Sequence, residues 1–219
     1  MTTLLTETHI HTNIGSSCGK VSPAEIPWLY KNAGYDAIVI TDHYAEETIT
    51  TYPKSADAWL EGYRMARDAG KEAGIKVFLG MELRVKSLGI EDFLVYGLDE
   101  AFIKKNDKLY LLPLPDAFAF LDSCGFLVYQ AHPFRDENVV QNPRFMHGIE
   151  VYNGKLRQEN NNEKAESYAK KHSLMQIAGS DFHRYEDVGT GGIYIDKGIE
   201  TEQEFAAYLK THFVRLKKN

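Results

Sequence analysis

Short apolar runs alternate with amphipathic segments along the whole chain, and this alternation most narrows the choice of fold. Several runs are bounded by Gly, Asp or Asn, as strand ends commonly are. Strand–helix alternation of this kind is typical of an α/β barrel or a doubly wound sheet. The runs predicted to be strands are 5–11, 37–41, 76–82, 93–97, 126–132, 148–152, 174–179 and 192–195.

Helix signals fall between these runs. Ser55 is a predicted N-cap and Gly74 a predicted helix end, because these residue types favour those positions. A chain of 219 residues without a Pro/Ser-rich linker is expected to form a single domain over residues 1–219. The predicted helices are 22–32, 55–74, 115–124, 158–172 and 201–211.

Charge and cysteine content limit the partners and the compartment. Lys and Arg number 25 against 31 Asp and Glu, a net charge of -6, which argues against binding of long nucleic acid. The N-terminus lacks signal-peptide features, and no apolar run is long enough to cross a membrane. With only Cys18 and Cys124 and no CxxC motif, a cytoplasmic protein without a membrane partner is expected.

Histidines and acidic residues concentrate at the ends of the predicted strands. His9 and His11 end the first strand, and His43 follows the second. In a parallel barrel the carboxyl ends of all strands lie on one face, where active sites are built. The other residues at such ends are Glu82, His132, Asp181 and His183.

The spacing of these residues favours a metal centre. His9 and His11 are two apart on a strand, so both imidazoles project from the same face; Asp181 and His183 repeat this spacing. Imidazole and carboxylate together bind borderline divalent ions. Glu82 has two oxygens and could bridge two ions. Each of these residues alone is more often structural, but their repetition at separate strand ends predicts a metal cluster.

Five motifs, in this order, resemble the PHP family, the polymerase and histidinol phosphatase superfamily: His-Ile-His-Thr (9–12), Ile-Thr-Asp-His (40–43), Gly-Met-Glu (80–82), Ala-His-Pro (131–133) and Gly-Ser-Asp-Phe-His (179–183). The resemblance covers nearly the whole chain. It implies an α/β fold, a distorted seven-stranded (β/α) barrel with the metal site at the C-terminal ends of the strands. It also implies a hydrolase acting on phosphate esters through two to three divalent ions, Zn²⁺, Mn²⁺ or Fe²⁺.

The resemblance also implies which residues hold each ion. His43 and His183 would hold the second metal, and Glu82 would bridge to a third metal that His132 also binds. The first metal would be held by His9, His11, Glu82 and Asp181.

Two positions depart from the commonest family pattern. Many members have Asp where this chain has Cys18, which either ligates the second metal as a thiolate or is a packed thiol. Sulfur ligation would favour zinc or ferrous iron. Many members also have a His ligand of the third metal before the fourth strand, where Asp92 is the expected substitute here.

The mechanism implied by the family needs no Ser or Cys nucleophile, because ions supply hydroxide at neutral pH. His43, His183 and Asp181 are the predicted catalytic residues, with the proton donor to the leaving group left open between His43, His183 and a water. Arg135 and Arg184 are the predicted phosphate-binding residues, since guanidinium suits phosphate oxygens. Further cationic candidates are Arg84, Lys155 and Arg157.

The leading hypothesis is therefore a phosphoesterase for a small phosphorylated substrate. Alternatives in the same family are a nuclease for short oligonucleotides and a phosphotyrosine phosphatase. An amidohydrolase is disfavoured because Glu82 stands where that family usually has Lys. A degenerate metal-binding regulatory domain is the non-enzyme alternative, suggested by Cys18 and Asp92. Glu150 or Asn153 either orients metal ligands or is an ordinary strand end.

Overall fold

One mixed sheet runs through the computed structural model, which describes residues 3–86, 91–136 and 138–219. All eight predicted strands are present, and a short strand and a C-terminal strand join them. The strands in the described ranges are β1 Thr3–Ile10, β2 Ala37–Ile40, β3 His43–Tyr44, β4 Lys76–Arg84, β5 Asp92–Tyr96, β6 Leu127–Gln130, β7 Gly148–Asn153, β8 Met175–Gly179, β9 Gly191–Asp196 and β10 Arg215–Lys218.

The sheet curves into a nearly closed barrel. Its strand order is β10-β9-β1-β2-β4-β5-β6-β7-β8, with β3 pairing beside β4. At the seam, Ile10 and Phe182 form an isolated parallel bridge, in which His11 N–H donates to Phe182 O at 2.9 Å and Phe182 N–H donates to His9 O at 3.0 Å. The (β/α) barrel prediction is thus supported. The predicted count of seven strands is not confirmed, since nine strands lie on this path.

Strand β5 runs antiparallel to both of its neighbours, β4 and β6. The start of β5 therefore lies beside the ends of β4 and β6, and Asp92 pairs directly with Arg84. Because of this reversal, a residue that begins a strand reaches the same end of the barrel as residues that end strands.

Seven helices lie in the described parts of the chain, and their caps follow from the sequence. Ser55 Oγ accepts from Ala58 N–H at 3.1 Å, and Gly74 ends the helix in the left-handed conformation with φ 67°. These caps confirm the predicted limits of the longest helix. The helices are α1 Ile26–Asn32, α2 Glu46–Thr50, α3 Ala56–Ala73, α4 Glu100–Lys105, α5 Leu114–Ser123, α6 Asn162–His172 and α7 Glu202–Thr211.

The apolar core lies on both faces of the sheet. In β2, Ile38 and Ile40 belong to the cluster that contains residues of α1 and α3, whereas Ala37 and Val39 belong to a second cluster that α7 covers. Such alternation buries both faces of the strand and fixes its register. Within the residues described, no helix combines the length and the apolar character needed to cross a bilayer.

Candidate metal centre

All eight predicted metal ligands lie at one end of the barrel. The donor atoms fall into overlapping groups, within each of which all atoms are 4.8 Å or less apart. Overlap at Glu82, His9, His11 and His43 makes these groups one continuous cluster. The groups are His9–His11–Asp181, His9–Glu82–His132, His43–Glu82–Asp92 and His11–Cys18–His43–His183.

Glu82 lies at the centre of the cluster and is fully buried. Its Oε1 is 3.0 Å from His132 Nε2, and its Oε2 is 2.8 Å from His43 Nδ1 and 3.2 Å from His11 Nε2. Although these nitrogens are close, Oε2 has no hydrogen-bond partner of good geometry among the described residues. A buried oxygen in this state is costly unless another group satisfies it, and a cation between these donors would do so.

His9 and His11 direct ring nitrogens at the same point. Their Nε2 atoms are 3.1 Å apart, and Asp181 Oδ1 lies 3.5 Å from the first and 3.3 Å from the second. These side chains are buried. Two imidazole nitrogens and a carboxylate oxygen that converge in a dry site have the chemistry of a divalent-ion site, so the residues present fit the metal implied by the motifs.

A hydroxyl group behind His11 sets the tautomer of its ring. Ser16 Oγ donates to Asp42 Oδ1 at 2.7 Å, so its lone pairs are left to accept from His11 Nδ1, 3.2 Å away, and from His43 N–H, 2.8 Å away. In the neutral form of the ring, Nδ1 of His11 therefore carries the proton, and the lone pair on Nε2 faces the cluster.

A carboxylate performs the same function behind His9. Glu150 Oε1 lies 3.0 Å from His9 Nδ1, while Oε2 accepts from His132 N–H at 2.9 Å and from Asn153 Nδ2 at 2.8 Å. A carboxylate on the far nitrogen of a ligand histidine orients the ring and raises its basicity. Of the two alternatives for Glu150 and Asn153, the structure favours the orienting one.

His132 and Asp92 are held by donors instead. Asn138 Nδ2 lies 3.1 Å from His132 Nδ1 and 3.2 Å from His132 O. Arg84 donates to both oxygens of Asp92, each at 2.8 Å. The lone pairs of these two side chains are thus partly engaged by other residues.

Electrostatics keep the central carboxylates charged. Burial would raise the pKa of Glu82, but the imidazoles of His43 and His9 hold it well below its usual value. Burial likewise opposes ionisation of Asp181, yet His9 and Arg135 keep its pKa well below the usual range. Anionic oxygens at both positions suit cation binding.

His183 differs from the other cluster histidines. Burial and then the neighbouring His11 lower its pKa to about 2, so the ring is neutral. Its Nδ1 donates to Asp181 O at 2.8 Å, which leaves Nε2 unprotonated. A neutral ring with a free lone pair is the form of histidine that binds metals.

Cys18 lies half-buried beside three of the histidines, as the grouping with His11, His43 and His183 shows. Burial would raise the pKa of its thiol, but a hydrogen bond with His43 and the proximity of His11 lower it. The sequence left its role open, and the structure places the sulfur within the cluster.

Cationic side chains border the cluster. Arg135 Nη1 lies 2.6 Å from Asp181 Oδ2 and its Nε donates to Asn160 Oδ1 at 2.8 Å, while its buried Nη2 has no partner among the residues described. Lys155 Nζ is 3.2 Å from the same Asp181 oxygen. Arg135 and Lys155 line a cavity of about 190 Å³ over the cluster. Arg184 lies on an adjoining cleft of about 410 Å³.

Two cluster residues have left-handed backbone conformations. His132 has φ 28° and Asp181 has φ 49°. Such conformations are uncommon outside glycine and persist where the surroundings impose them, often at functional sites. Each is the second residue after the end of a strand, so the chain turns there in a way that directs these side chains into the cluster.

Sequence reasoning missed several residues that support the site. Glu7 is fully buried under the cluster, where its Oε1 accepts from the N–H groups of Thr8, His9 and Ser180, and burial raises its pKa to about 7. Its position two residues before His9 on the same face was the available signal. The other missed residues are Ser16, Asp42 and Asn138. Ser16 and Asn138 lie within six residues of the histidines that they contact, but no pattern in the sequence marks them.

A family model described as PHP-associated matches residues 159–212. No curated protein matches the chain at a significant level. Solved structures do match: a two-domain protein from Bacteroides vulgatus containing a predicted PHP-like metal-dependent phosphoesterase has a TM-score of 0.74 and 20% identity. It matches 100% of this chain, which spans 65% of that protein.

Two further structures share the fold. PsfC from Pseudomonas syringae has a TM-score of 0.71 and 18% identity over 100% of this chain and 93% of its own. The lesion-specific endonuclease PfuEndoQ from Pyrococcus furiosus has a TM-score of 0.67 and 13% identity over 98% of this chain and 58% of its own. The family match covers residues 159–212 and the solved structures share the fold, and both agree with the resemblance of the motifs to the PHP family.

Proposed function

We propose that the chain, residues 1–219, is a single-domain metal-dependent phosphoesterase that hydrolyses small phosphate esters. The observation that carries this proposal is Glu82: a buried carboxylate whose Oε2 lacks a hydrogen-bond partner among described groups, although imidazole nitrogens lie 2.8 and 3.2 Å away. We propose His9, His11, Glu82 and Asp181 as ligands of a first ion, His43 and His183 of a second, and Glu82, Asp92 and His132 of a third.

Divalent ions in such a centre supply an activated water near neutral pH and neutralise charge on phosphate oxygens. The chain itself supplies orientation. Ser16 and Glu150 fix the rings of His11 and His9 from behind, so their Nε2 lone pairs need no rearrangement.

Substrate binding is proposed to rest on the cationic border. Arg135 lines the cavity and its Nη2 has no partner among the described residues, so we assign its guanidinium to the phosphate oxygens. Lys155 adds a second positive charge on the same wall, and Arg184 extends it into the adjoining cleft. The proposed catalytic residues, His43, His183 and Asp181, line the same cavity of about 190 Å³ as Arg135.

The experiment combines metal analysis of freshly purified protein with hydrolysis of an aryl phosphate monoester and the matching diester. We expect two to three Zn²⁺, Mn²⁺ or Fe²⁺ ions per chain and hydrolysis that chelation abolishes and metal restores. Absence of bound metal, together with no hydrolysis after adding each of these ions, would refute the proposal and favour a regulatory domain.

A nuclease for short oligonucleotides is the second candidate, and the shared fold with PfuEndoQ is the observation that favours it. The diester arm of the experiment separates the two, because a nuclease should prefer the diester and lose rate on single strands as salt rises. A small cavity and the net charge of -6 favour the small-ester substrate. We further propose a cytoplasmic location, where both free cysteines stay reduced, without membrane or long nucleic acid partners.

A further inference from the structure

The sulfur of Cys18 belongs to a compact set of soft donors. It lies within 4.8 Å of ring nitrogens of His11, His43 and His183, and these nitrogens lie equally close to one another. The buried Glu82 Oε2, which has no hydrogen-bond partner among the described groups, lies 2.8 Å from His43 Nδ1 and adds negative charge at the edge of this set. One thiol, three imidazole rings and a nearby carboxylate are a donor set for a cation.

Hydrogen bonds to the main chain of two histidines hold Cys18 in this place. Ser16 Oγ accepts from His43 N–H at 2.8 Å, and Lys20 N–H donates to His183 O at 2.9 Å. Ser16 and Lys20 each lie two residues from Cys18. Ser16 is thus hydrogen-bonded to the backbone of His43, and Lys20 to the backbone of His183. The position of the thiol relative to both rings follows from these bonds.

Two glycines let the segment that carries Cys18 pack this closely. A Cβ on Gly15 would lie 2.2 Å from Asp42 Oδ2, and a Cβ on Gly19 would lie 2.3 Å from Thr12 O. No side chain fits at either position without movement of backbone or of the buried Asp42. The backbone of residues 15–19 is therefore held in one closely packed conformation, and Cys18 lies beside the histidines.

The donors can be divided between two sites. His11 Nε2 is 3.1 Å from His9 Nε2 and 3.3 Å from Asp181 Oδ1. Its single lone pair is therefore assigned to the first site, with His9 and Asp181. The remaining donors are the sulfur of Cys18 and one nitrogen each from His43 and His183. Three protein ligands leave a coordination position open, as in catalytic zinc sites. Cys18 and His183 line the cleft of about 410 Å³, which gives access to it.

We propose that Cys18, His43 and His183 form a sulfur-containing site that selects a thiophilic divalent cation, Zn²⁺ or Fe²⁺, over Mn²⁺ and Mg²⁺. The inference rests on the proposed metal centre and deepens it. Thiolate ligands favour zinc and ferrous iron, whereas carboxylate ligands suit manganese and magnesium. The residue at position 18 would therefore set which metal the second site accepts.

Cobalt substitution tests the ligation directly. Co²⁺ bound by a thiolate gives a sulfur-to-cobalt charge-transfer band in the near ultraviolet, which nitrogen and oxygen ligands do not give. We expect the band in the Co²⁺-loaded wild type and in Cys124→Ser, since Cys124 is exposed and is not among the grouped donors. We expect its loss in Cys18→Ser and in Cys18→Asp, with Co²⁺ still bound at the first site.

Selectivity provides the second measurement. In competition between Zn²⁺ and Mn²⁺, Cys18→Asp should lower the preference for Zn²⁺ by at least about tenfold, because even residues behind metal ligands alter affinity by roughly 10- to 100-fold. A wild type that binds two or more Co²⁺ without the band, or a band that survives in Cys18→Ser, would overturn the inference. Circular dichroism of each variant excludes misfolding as the cause of a lost band.

Hydrolysis of the aryl phosphate in the same samples separates this inference from the proposed function. Hydrolysis without the thiolate band leaves the phosphoesterase standing and removes Cys18 from the ligands. The band without hydrolysis leaves the sulfur site standing and argues against the phosphoesterase.

Discussion

The metal centre has two parts that differ in what lies behind the ligands. In the inner group, His9 and His11, the far ring nitrogens face acceptors, Glu150 and the Ser16 hydroxyl. In the outer group, His132 and Asp92, the side chains face donors, Asn138 and Arg84. An acceptor behind a ring directs a lone pair toward the cluster, whereas a donor consumes one. The inner group is therefore arranged for a cation beforehand, and a cation at the outer group must compete with existing hydrogen bonds.

The largest effect is expected at Glu82, which touches both groups. Glu82→Gln keeps the shape but removes the charge that His132, His43 and His11 face. We expect loss of more than one ion per chain and at least an about 100-fold fall in hydrolysis, as for removal of a main electrostatic group in an active site. Elemental analysis and the phosphatase assay measure this. Glu72→Gln, on the exposed face of α3, is the control, and unchanged metal content in Glu82→Gln would contradict the central role.

A smaller effect is expected from the acceptor behind the inner group. Glu150→Gln retains an oxygen for His9 Nδ1–H but not the charge. Metal affinity should fall by about 10- to 100-fold, the usual cost of losing a carboxylate behind a ligand histidine. Titration with a metal indicator measures it. An affinity equal to wild type would show that the inner group gains nothing from its acceptors.

The matching change in the outer group should act in the opposite direction. Asn138→Ala removes the donor that faces His132 Nδ1. We expect the weakest-bound ion to bind with equal or higher affinity, up to about threefold, because one competing hydrogen bond of modest net strength is gone. Metal stoichiometry at limiting Zn²⁺ is the measurement. A fall in affinity as large as that of Glu150→Gln would erase the distinction between the groups.

The smallest effect concerns a carboxylate held by donors far from the cluster. Glu166 contacts Lys170 at 2.8 Å and Lys218 at 2.7 Å, and these lysines lower its pKa to about 2. A lowered folded-state pKa stabilises the fold above the unfolded pKa of about 4.5, and this stabilisation disappears as the pH falls toward 2. Because the group is partly exposed, Glu166→Gln should cost about 0.5–1 kcal/mol at pH 7.

Urea unfolding of Glu166→Gln and wild type at pH 7 and at pH 3 measures this difference. The gap between the two proteins should narrow at the lower pH. The metal content of Glu166→Gln should equal that of wild type, because Glu166 is not one of the grouped metal donors. An equal gap at both pH values would show that the ion pairs are not its source.

Much of the fold could be predicted because its signals are local. Every predicted strand is present with its ends within two residues, and the caps at Ser55 and Gly74 limit α3 as expected. Two predicted helices begin about four residues late, at Ile26 and Asn162, because turns precede them. Short elements with no periodic pattern, α2, α4 and β3, were not predicted.

The remaining differences depend on distant residues. The basic C-terminal segment Arg215–Lys218 forms β10, which pairs with β9 and was not predicted as a strand. The Arg215 guanidinium lies 3.7 Å from the ring centroid of Tyr194. The reversed direction of β5 has no local signal either. It follows from the hairpin with β4 and from pairing with β6.

The cluster itself could be predicted because its ligands lie at or near strand ends, and strand ends can be recognised from the local sequence. The residues behind the ligands could be predicted only in part, because Glu150 was one of two open alternatives and Ser16 and Asn138 were not identified. Ser16 and Asp42 are 26 positions apart, and His9 and Glu150 are 141 apart. A hydroxyl or carboxylate in a loop or strand becomes an orienting group only when the barrel brings it to the far side of a ring.

The seam of the barrel has a thermodynamic consequence. At that point the first strand and the segment after β8 are joined by the bridge between Ile10 and Phe182, and His9 and Asp181 lie on either side of it. An ion held by both would be a cross-link between opposite ends of the sequence. Cross-links that close long loops restrict the unfolded ensemble most strongly in the chain-entropy model. Chelation would thus remove a cross-link that closes the barrel, and the amide protons of His11 and Phe182 would exchange faster than in the metal-bound protein.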